Sequence, residues 1–587
     1  MTSASHASCR FEFTGEELLI ANRHIERRWK LHHGALYATS FVNLETGTDW
    51  ITKSLKIAAP IVTKPSGDPN PTIAVTWSDQ PLLPVGQQDG LVVELLVGES
   101  KEATYRFEIF DRSAGVTMTI ISSRGPSETP TTEPAPKQLT AATGIEKNPA
   151  SAPASTAPAD DWPDDLLEVF QLGQPHLRLV ATRLVDQTDL HNNLVFEEEW
   201  LMHPAEMRIE LIGNVFAIEN ILTGEGLVFL KHAPLPHARP IKCAADCVTR
   251  NAIISFRGHG IGPEGGAGYS FALLAYTGGA EGRTLALHRH QRQFHTYLRG
   301  RDGQMLTNTW GDRSQDTRVN EKFMLQEIAA AKTLGADVVQ IDDGWQSGRT
   351  GNWARPGGRW ESFWNDPAFW KPNPQRFPHG LEPIVKAATD AGLKLGLWYA
   401  PDSANDFENW NRDADQLLEF HRSLGINFFK LDGVKIRSKT GEIHFHQFVD
   451  RVLRDSGGAI VMDLDVTAQT RPGYFGMLQS GPVFVENRYT DWHRYWPHHT
   501  LRNLWMLAKV VEPQRLRMEF LNNARNADKY KNDPLAPIEY PPAYLFATVM
   551  LSSPLGWFEV SKLPPKYIDE VAKLSAIWKE HREAIYS

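Results

Sequence analysis

The stretch GLKLGLWYAPDSANDFENWNRDADQLLEFHRSLGINFFKLDG, residues 392–433, decides the fold. LGLWYAP is a short apolar run. ADQLLEFHRSLGI places its apolar residues at helical spacing, and NFFKLDG returns to a short apolar run that closes on Lys430 and Asp432. Short buried strands alternating with helices of about twelve residues are the signature of parallel βα units. The cycle extends upstream, where KFMLQEIAAAKTLGA precedes DVVQI and GLEPIVKAATDAGLK precedes LGLWYAP. Downstream, AIVMDLDV, GPVFVEN and LGWF are further strand candidates, and YIDEVAKLSAIWKEHREAI reads as an outer amphipathic helix. So many repeats in roughly 280 residues after Thr307 suit an α/β fold of the closed (β/α)8 TIM-barrel type better than a dinucleotide-binding sheet.

Ahead of this region the pattern changes. From about Phe11 to Ala286, runs such as LVVELLV, ATYRFEIFDRSAGVTMTIIS and AEMRIELIGNVFAIEN alternate with period two between Gly, Pro and Asn clusters. That pattern predicts a large antiparallel β-sandwich. The chain is therefore divided into a β-sandwich domain over residues 1–300 and a catalytic barrel over residues 301–587. A Pro/Ala/Thr-rich segment near residues 125–165 has little to bury and reads as a long surface loop within the sandwich.

Composition narrows the classes. The 587 residues carry 70 acids against 61 bases, a formal charge of -9, which gives no electrostatic reason for a nucleic-acid partner. Three cysteines, Cys9, Cys243 and Cys247, argue against a disulfide framework, and Cys243 and Cys247 read as ordinary thiols. The first residues lack a basic segment followed by an apolar run, so neither a secretory signal nor a membrane span is expected, and a cytoplasmic protein is the simplest reading.

Polar groups fall directly after the expected barrel strands: Asp342 and Asp343 after DVVQI, Trp398 in LGLWYAP, and Lys430 and Asp432 in NFFKLDG. Asp463 and Asp465 lie in MDLDV, and Glu486, Arg488 and Asp491 follow GPVFV. In a barrel these strand ends face one opening, where the βα loops assemble a site. Lys430 and Asp432 are two apart and share a strand face, which suits either a stabilised nucleophilic carboxylate or a structural ion pair. For Asp342 and Asp343, beside Gly344 and Trp345, three readings stand: a metal site, loop structure, and hydrogen bonding to sugar hydroxyls, the last explaining the adjacent aromatic best. The histidines in HRHQRQFH and WPHHT lack ligand spacing and read as packing or hydrogen-bonding groups. No metal and no cofactor are expected, since there is no strand-linked G-x-G-x-x-G either.

The ordered set IDDGWQ (341–346), FPHGL (377–381), GLKLGLWYAP (392–401) and FFKLDG (428–433), with GLVFLKHAPLP before the barrel, resembles glycoside hydrolase family 36, the α-galactosidases and their raffinose-synthase relatives. The resemblance runs from NTWGDRS at Asn308 to the end of the chain. It implies a retaining glycosidase acting on terminal α-galactosyl or closely related linkages, with a glycoside or oligosaccharide as partner. It implies Asp432 as nucleophile. Asp342 and Asp343, the family's strand-one aspartates, become sugar-binding groups together with Trp398 and Lys430. Arg488-Tyr489-Thr490-Asp491 resembles the R-x-S-D form of the family's acid/base segment, which implies Asp491 as proton donor and Arg488 as a sugar contact, with Glu486 its rival.

Three features depart from the family. MDLDVT stands where a C-x-x-G-G segment is common, LWYAPD stands for LWFEPE, and the residues end at Ser587 where the family usually continues into a β-domain. Two alternatives stand beside this reading. One is an α-galactosyltransferase with Tyr489, Trp492 and Trp496 as acceptor surfaces; the other is a non-catalytic sugar-binding protein on a degenerate barrel.

Overall fold

The structure, a computed structural model, describes all residues except 33, 54–71, 80–88, 99–102, 124–164, 186–192, 203–207, 313, 466–470, 486–494 and 587. The Pro/Ala/Thr-rich segment near 125–165, Glu486, Arg488, Tyr489, Asp491 and Trp492 thus lie outside the described residues, Asp165 excepted.

Eight parallel strands close into a barrel: Leu306–Asn308, Val338–Ile341, Lys394–Tyr399, Phe428–Leu431, Val461–Asp465, Val483–Val485, Leu516–Phe520 and Ser553–Trp557. The last pairs with the first, so no edge remains. The sequence reading lacks two of these strands. Leu306–Asn308 is three residues long, too short to carry a period. Leu516–Phe520 reads LRMEF, and its Arg517 and Glu519 break the apolar run although both are buried. DVVQI is consequently the second barrel strand. This corrects the placement of Asp342 and Asp343 on the first. The amphipathic closing segment forms the helix Pro565–Tyr586, whose Trp578 and Val571 pack onto the barrel.

Among the described residues, the N-terminal region holds three antiparallel sheets of six, ten and five strands. Strands at the centre of the ten-stranded sheet read as continuous apolar runs because both of their faces are covered. Phe216, Ile218, Leu227, Phe229, Phe271 and Leu273 fill the core between the sheets. Their alternating neighbours Val215, Ala217, Val228, Leu230, Ala272 and Leu274 share a second core with the barrel and the helix Gly279–Phe294. Period two thus sorts one strand's side chains into two hydrophobic cores. Phe229 stacks on Phe256 of the five-stranded sheet, with centroids 4.0 Å apart and planes at 2°.

The histidines of HRHQRQFH belong to this connecting helix and its end. His288 Nε2 lies 2.7 Å from the Ala508 carbonyl, and Gln291 Nε2 donates to Val510 O at 2.7 Å, tying the helix to the barrel. His290 faces the sandwich instead. Its Nδ1 lies 3.1 Å from Ser113 Oγ and its Nε2 3.2 Å from His232 Nε2. One ring must donate and the other accept, so a proton added to either sets two N–H groups face to face.

Burial holds His290 down to about 3 and His232 well below its ordinary value. Well above pH 6.5 neither the native nor the unfolded chain protonates these rings. As pH falls below that, the unfolded chain takes up protons that the native one refuses. Each buried histidine then lowers stability by about 1.4 kcal/mol per pH unit until its folded value is reached. The urea midpoint of the wild type should therefore fall more steeply between pH 6 and pH 4 than that of His290→Leu, which starts from a lower midpoint at pH 7. Parallel slopes would show that the pair does not titrate with folding.

Candidate active site

The carboxyl-terminal ends of the second, third and fourth strands bring Asp342, Trp398, Lys430 and Asp432 together. Parallel register aligns Trp398 with Lys430 and Lys430 with Asp463, and Asp432, two residues on, shares the inward face. All four are buried, the most exposed being Asp432 at 6%.

Asp432 accepts three hydrogen bonds. Trp398 Nε1 donates to Oδ2 at 3.1 Å, while the Gly433 amide and Arg471 Nη2 donate to Oδ1 at 2.6 and 3.0 Å. Three donors, one of them cationic, favour the ionised carboxylate. Arg471 in turn donates through Nη1 to the carbonyl of Asp465 at 2.7 Å and lies 3.2 Å from its Oδ1. Asp465 stands one register step beyond the Leu431–Leu464 pair, level with Asp432, so a single guanidinium spans two neighbouring strand ends.

Lys430 and Asp342 form the floor. Lys430 Nζ lies 3.3 Å from Asp342 Oδ2, which also accepts from Asn308 Nδ2 at 2.8 Å. The ammonium sits over the rings of Phe484 and Trp557, 4.5 and 4.7 Å from their centroids, and these aromatic faces hold it in place. Burial pushes the Asp342 carboxyl above its usual range. Lys430, the Asp343 amide and Asn308 pull it back, and the charge of Asp432 pushes it further up.

Asp343 turns away from this group. Its Oδ1 accepts from Gln346 Nε2 at 2.6 Å and Trp353 Nε1 at 2.8 Å, and its Oδ2 from the Thr350 hydroxyl. Burial pushes it up to about 7 despite those three donors. These bonds order the loop that follows the second strand, which makes Asp343 a loop-organising carboxylate in this geometry. Gly344 between them has φ +126°, and a Cβ there would meet Asp316 and Arg376 at 2.8 Å, so the turn needs glycine.

The acids of MDLDV separate. Asp463 is bound by Arg517 of the seventh strand, Nε to Oδ2 at 3.1 Å and Nη2 to Oδ1 at 3.3 Å, deeper in the barrel. Burial raises its carboxyl and Arg517 opposes that. Only Asp465 reaches the site, through Arg471. Sequence reasoning missed Arg471, which sits in an unpatterned TRPG segment, and Asn308, quoted in NTWGDRS but given no role. It also missed Trp360, whose ring lies 3.5 Å from where a Cβ on Gly433 would stand, beside Asp432. Trp496, an expected acceptor surface, is fixed by Asp533 at 3.1 Å and packs edge-on against Tyr530. Among the described residues no group of three His, Cys, Asp or Glu side chains is placed to hold a metal.

The arrangement offers a firmly oriented carboxylate beside a cation, further hydrogen-bonding groups and aromatic rings. That chemistry suits a polyhydroxylated ligand. The Melibiase family model matches residues 270–428. Alpha-galactosidase 1 of Pediococcus pentosaceus is 26% identical over 151 residues, 25% of this chain and 19% of that protein. Alpha-galactosidase AgaA of Geobacillus stearothermophilus is 28% identical over 139 residues, 23% of this chain and 17% of that protein. The matched stretches thus span less than a fifth of those relatives. In three dimensions the likeness is longer. The AgaA structure superposes over 97% of this chain and 87% of its own, with a TM-score of 0.61 at 12% identity. The galactosidase domain of AgaSK gives 0.63 at 10% identity over 98% and 87%. At such identities the superposition establishes the fold.

Proposed function

We propose, on the premise that this chain belongs to the melibiase superfamily of α-galactosidase-like proteins, that it is a retaining glycosidase acting on terminal α-galactosyl or closely related groups. The observation that carries this reading is Asp432 itself: a buried carboxylate at the end of the fourth strand, aimed by Trp398, Gly433 and Arg471 beside the Lys430–Asp342 floor. AgaA variants have been crystallised with raffinose and with stachyose, which supports an oligosaccharide as the substrate class.

In this mechanism Asp432 Oδ2 attacks the anomeric carbon from the β face as the bond to the departing oxygen breaks, and Asp491 protonates that oxygen. Water then attacks the same carbon from the α face. It displaces Asp432 and gives its proton to Asp491. Two inversions leave the α configuration unchanged. Asp342 and Lys430 hold the sugar hydroxyls, Trp398 keeps the nucleophile in line, and Arg488 adds a further polar contact. Protein carboxylates supply every proton transfer, so no cofactor takes part.

Proton NMR of p-nitrophenyl α-galactoside hydrolysis tests the reading. α-Galactose should appear first and the β anomer only through later mutarotation. First-formed β-galactose would overturn retention. No turnover across α-galactosides, α-glucosides and α-N-acetylgalactosaminides, with binding retained, would favour a sugar-binding protein. Excess sucrose in the same assay separates hydrolysis from galactosyl transfer.

A further inference from the structure

A cleft of about 700 Å3 opens between the sandwich and the helix Gly279–Phe294, at the end of the barrel opposite the site just described. Its wall includes Tyr586, whose hydroxyl bonds the Ser552 carbonyl just ahead of the eighth strand. The same ring would meet a Cβ on Gly303, just ahead of the first strand, at 2.6 Å. Tyr297 stacks on Tyr586 with centroids 6.1 Å apart and planes at 25°. Tyr297, half-buried, gives the cleft one aromatic surface at the amino-terminal ends of the strands, away from Asp432, with the buried Tyr586 behind it.

Four guanidiniums line the same space: Arg23 and Arg112 from turns of the sandwich, and Arg289 and Arg292 from the helix. Two of them are neutralised. Arg23 pairs with Asp111, and Arg292 binds Glu512 through two nitrogens, each at 3.1 Å. Arg112 and Arg289 are exposed, and neither has a carboxylate partner among the described residues. The remaining acid of the cleft, Asp89, lies 3.4 Å from His6. A surplus of positive charge therefore gathers here on a chain whose net charge is -9. His24, also in the wall, feels it. Burial lowers its pKa and the charges of Arg23 and Arg289 lower it further, against Asp111 and Glu45.

Guanidinium forks match the paired oxygens of phosphate, sulfate and carboxylate, and a Tyr ring packs against the apolar face of a sugar. We propose that this cleft is a second ligand site for an oxyanion-bearing sugar, its anionic group held by Arg112 and Arg289 and its ring against the half-buried Tyr297. The site is independent of the reaction proposed for the barrel mouth. A small sugar phosphate and the end of an acidic polysaccharide share this chemistry.

Isothermal calorimetry on the full chain separates these sources with glucose 6-phosphate and digalacturonate as probes, inorganic phosphate and glucose as controls. Saturable binding of at least one sugar anion is expected, with no heat from glucose. The tighter probe identifies the source. The double variant Arg112→Ala/Arg289→Ala should bind about tenfold or more weakly, since each charge-assisted hydrogen bond contributes strongly. It should retain its fold and basal hydrolysis, because neither side chain has an intramolecular ion partner to strand. Wild-type binding should also shift the His24 ring resonances and raise its NMR-titrated pKa, and Asp432→Asn should leave both readouts unchanged. Absence of saturable binding, equal affinity in the double variant, or loss of binding in Asp432→Asn overturns the proposal. Inorganic phosphate binding as tightly as glucose 6-phosphate overturns the sugar assignment.

Discussion

Asp432→Asn is expected to lower turnover of an aryl α-galactoside by about ten-thousand-fold or more, the scale on which loss of a covalent nucleophile is felt. The geometry sharpens the expectation. Trp398 Nε1, the Gly433 amide and Arg471, which bond Asp432, are all donors. An amide offers one accepting oxygen and one NH2, so Asn sets a donor against at least one of them and leaves a buried polar group unmatched, at a cost of about 1–3 kcal/mol of stability. A lower melting temperature should therefore accompany the loss of activity. Asp432→Gly removes the opposing donor as well and opens the space. Azide entering from the vacated side should restore turnover and yield the β-galactosyl azide. Activity within tenfold of wild type in Asp432→Asn would remove this residue from the chemistry, whatever its place in the barrel.

How much of this was legible in the sequence depended on whether local pattern and burial agreed. The helices and the strands DVVQI, LGLWYA and NFFKL announce themselves because side chains facing the surrounding helices are apolar and the runs are long enough to show it. The seventh strand was silent for the opposite reason. Its inward residues are the buried Arg517 and Glu519, Arg517 being bound by Asp463 from 54 positions away, and no local rule predicts charge at the centre of a barrel. The candidate site divides in the same way. Lys430 and Asp432 share one strand, so spacing alone aligned them. Arg471 reaches Asp432 across 39 positions of sequence and Asn308 reaches Asp342 across 34, contacts that exist only once the barrel has closed. Asp342 and Asp343 show the limit from another side. Adjacent residues of one type were read as a pair, yet one faces the floor of the site and the other its own loop, because successive side chains point to opposite faces where the strand ends.

The second large effect concerns the proton donor, and the two candidates, Asp491 and Glu486, are expected to behave differently on different leaving groups. A general acid contributes about a hundred- to ten-thousand-fold when the departing oxygen is a poor leaving group, and little when it is an activated phenolate that departs unprotonated. Asp491→Ala should therefore lose about a thousand-fold or more on melibiose while retaining far more of its rate on dinitrophenyl α-galactoside. With the activated substrate the glycosyl-enzyme still forms but water is no longer deprotonated, so the intermediate accumulates. Azide, which needs no base, should then capture it from the α face and give the α-galactosyl azide, the opposite anomer from the one expected of Asp432→Gly. This stereochemical contrast assigns the two carboxylates without reference to the size of either rate loss. It also separates Asp491 from Glu486, whose place directly after Val485 in the sequence suits a residue held by the sixth strand. Glu486→Ala should weaken both substrates alike, without azide rescue. If it alone shows the leaving-group dependence and the α-azide, the proton passes through Glu486 and Asp491 becomes a binding or loop acid. In either outcome the retaining mechanism requires the donor carboxyl to stand about 5–5.5 Å from that of Asp432.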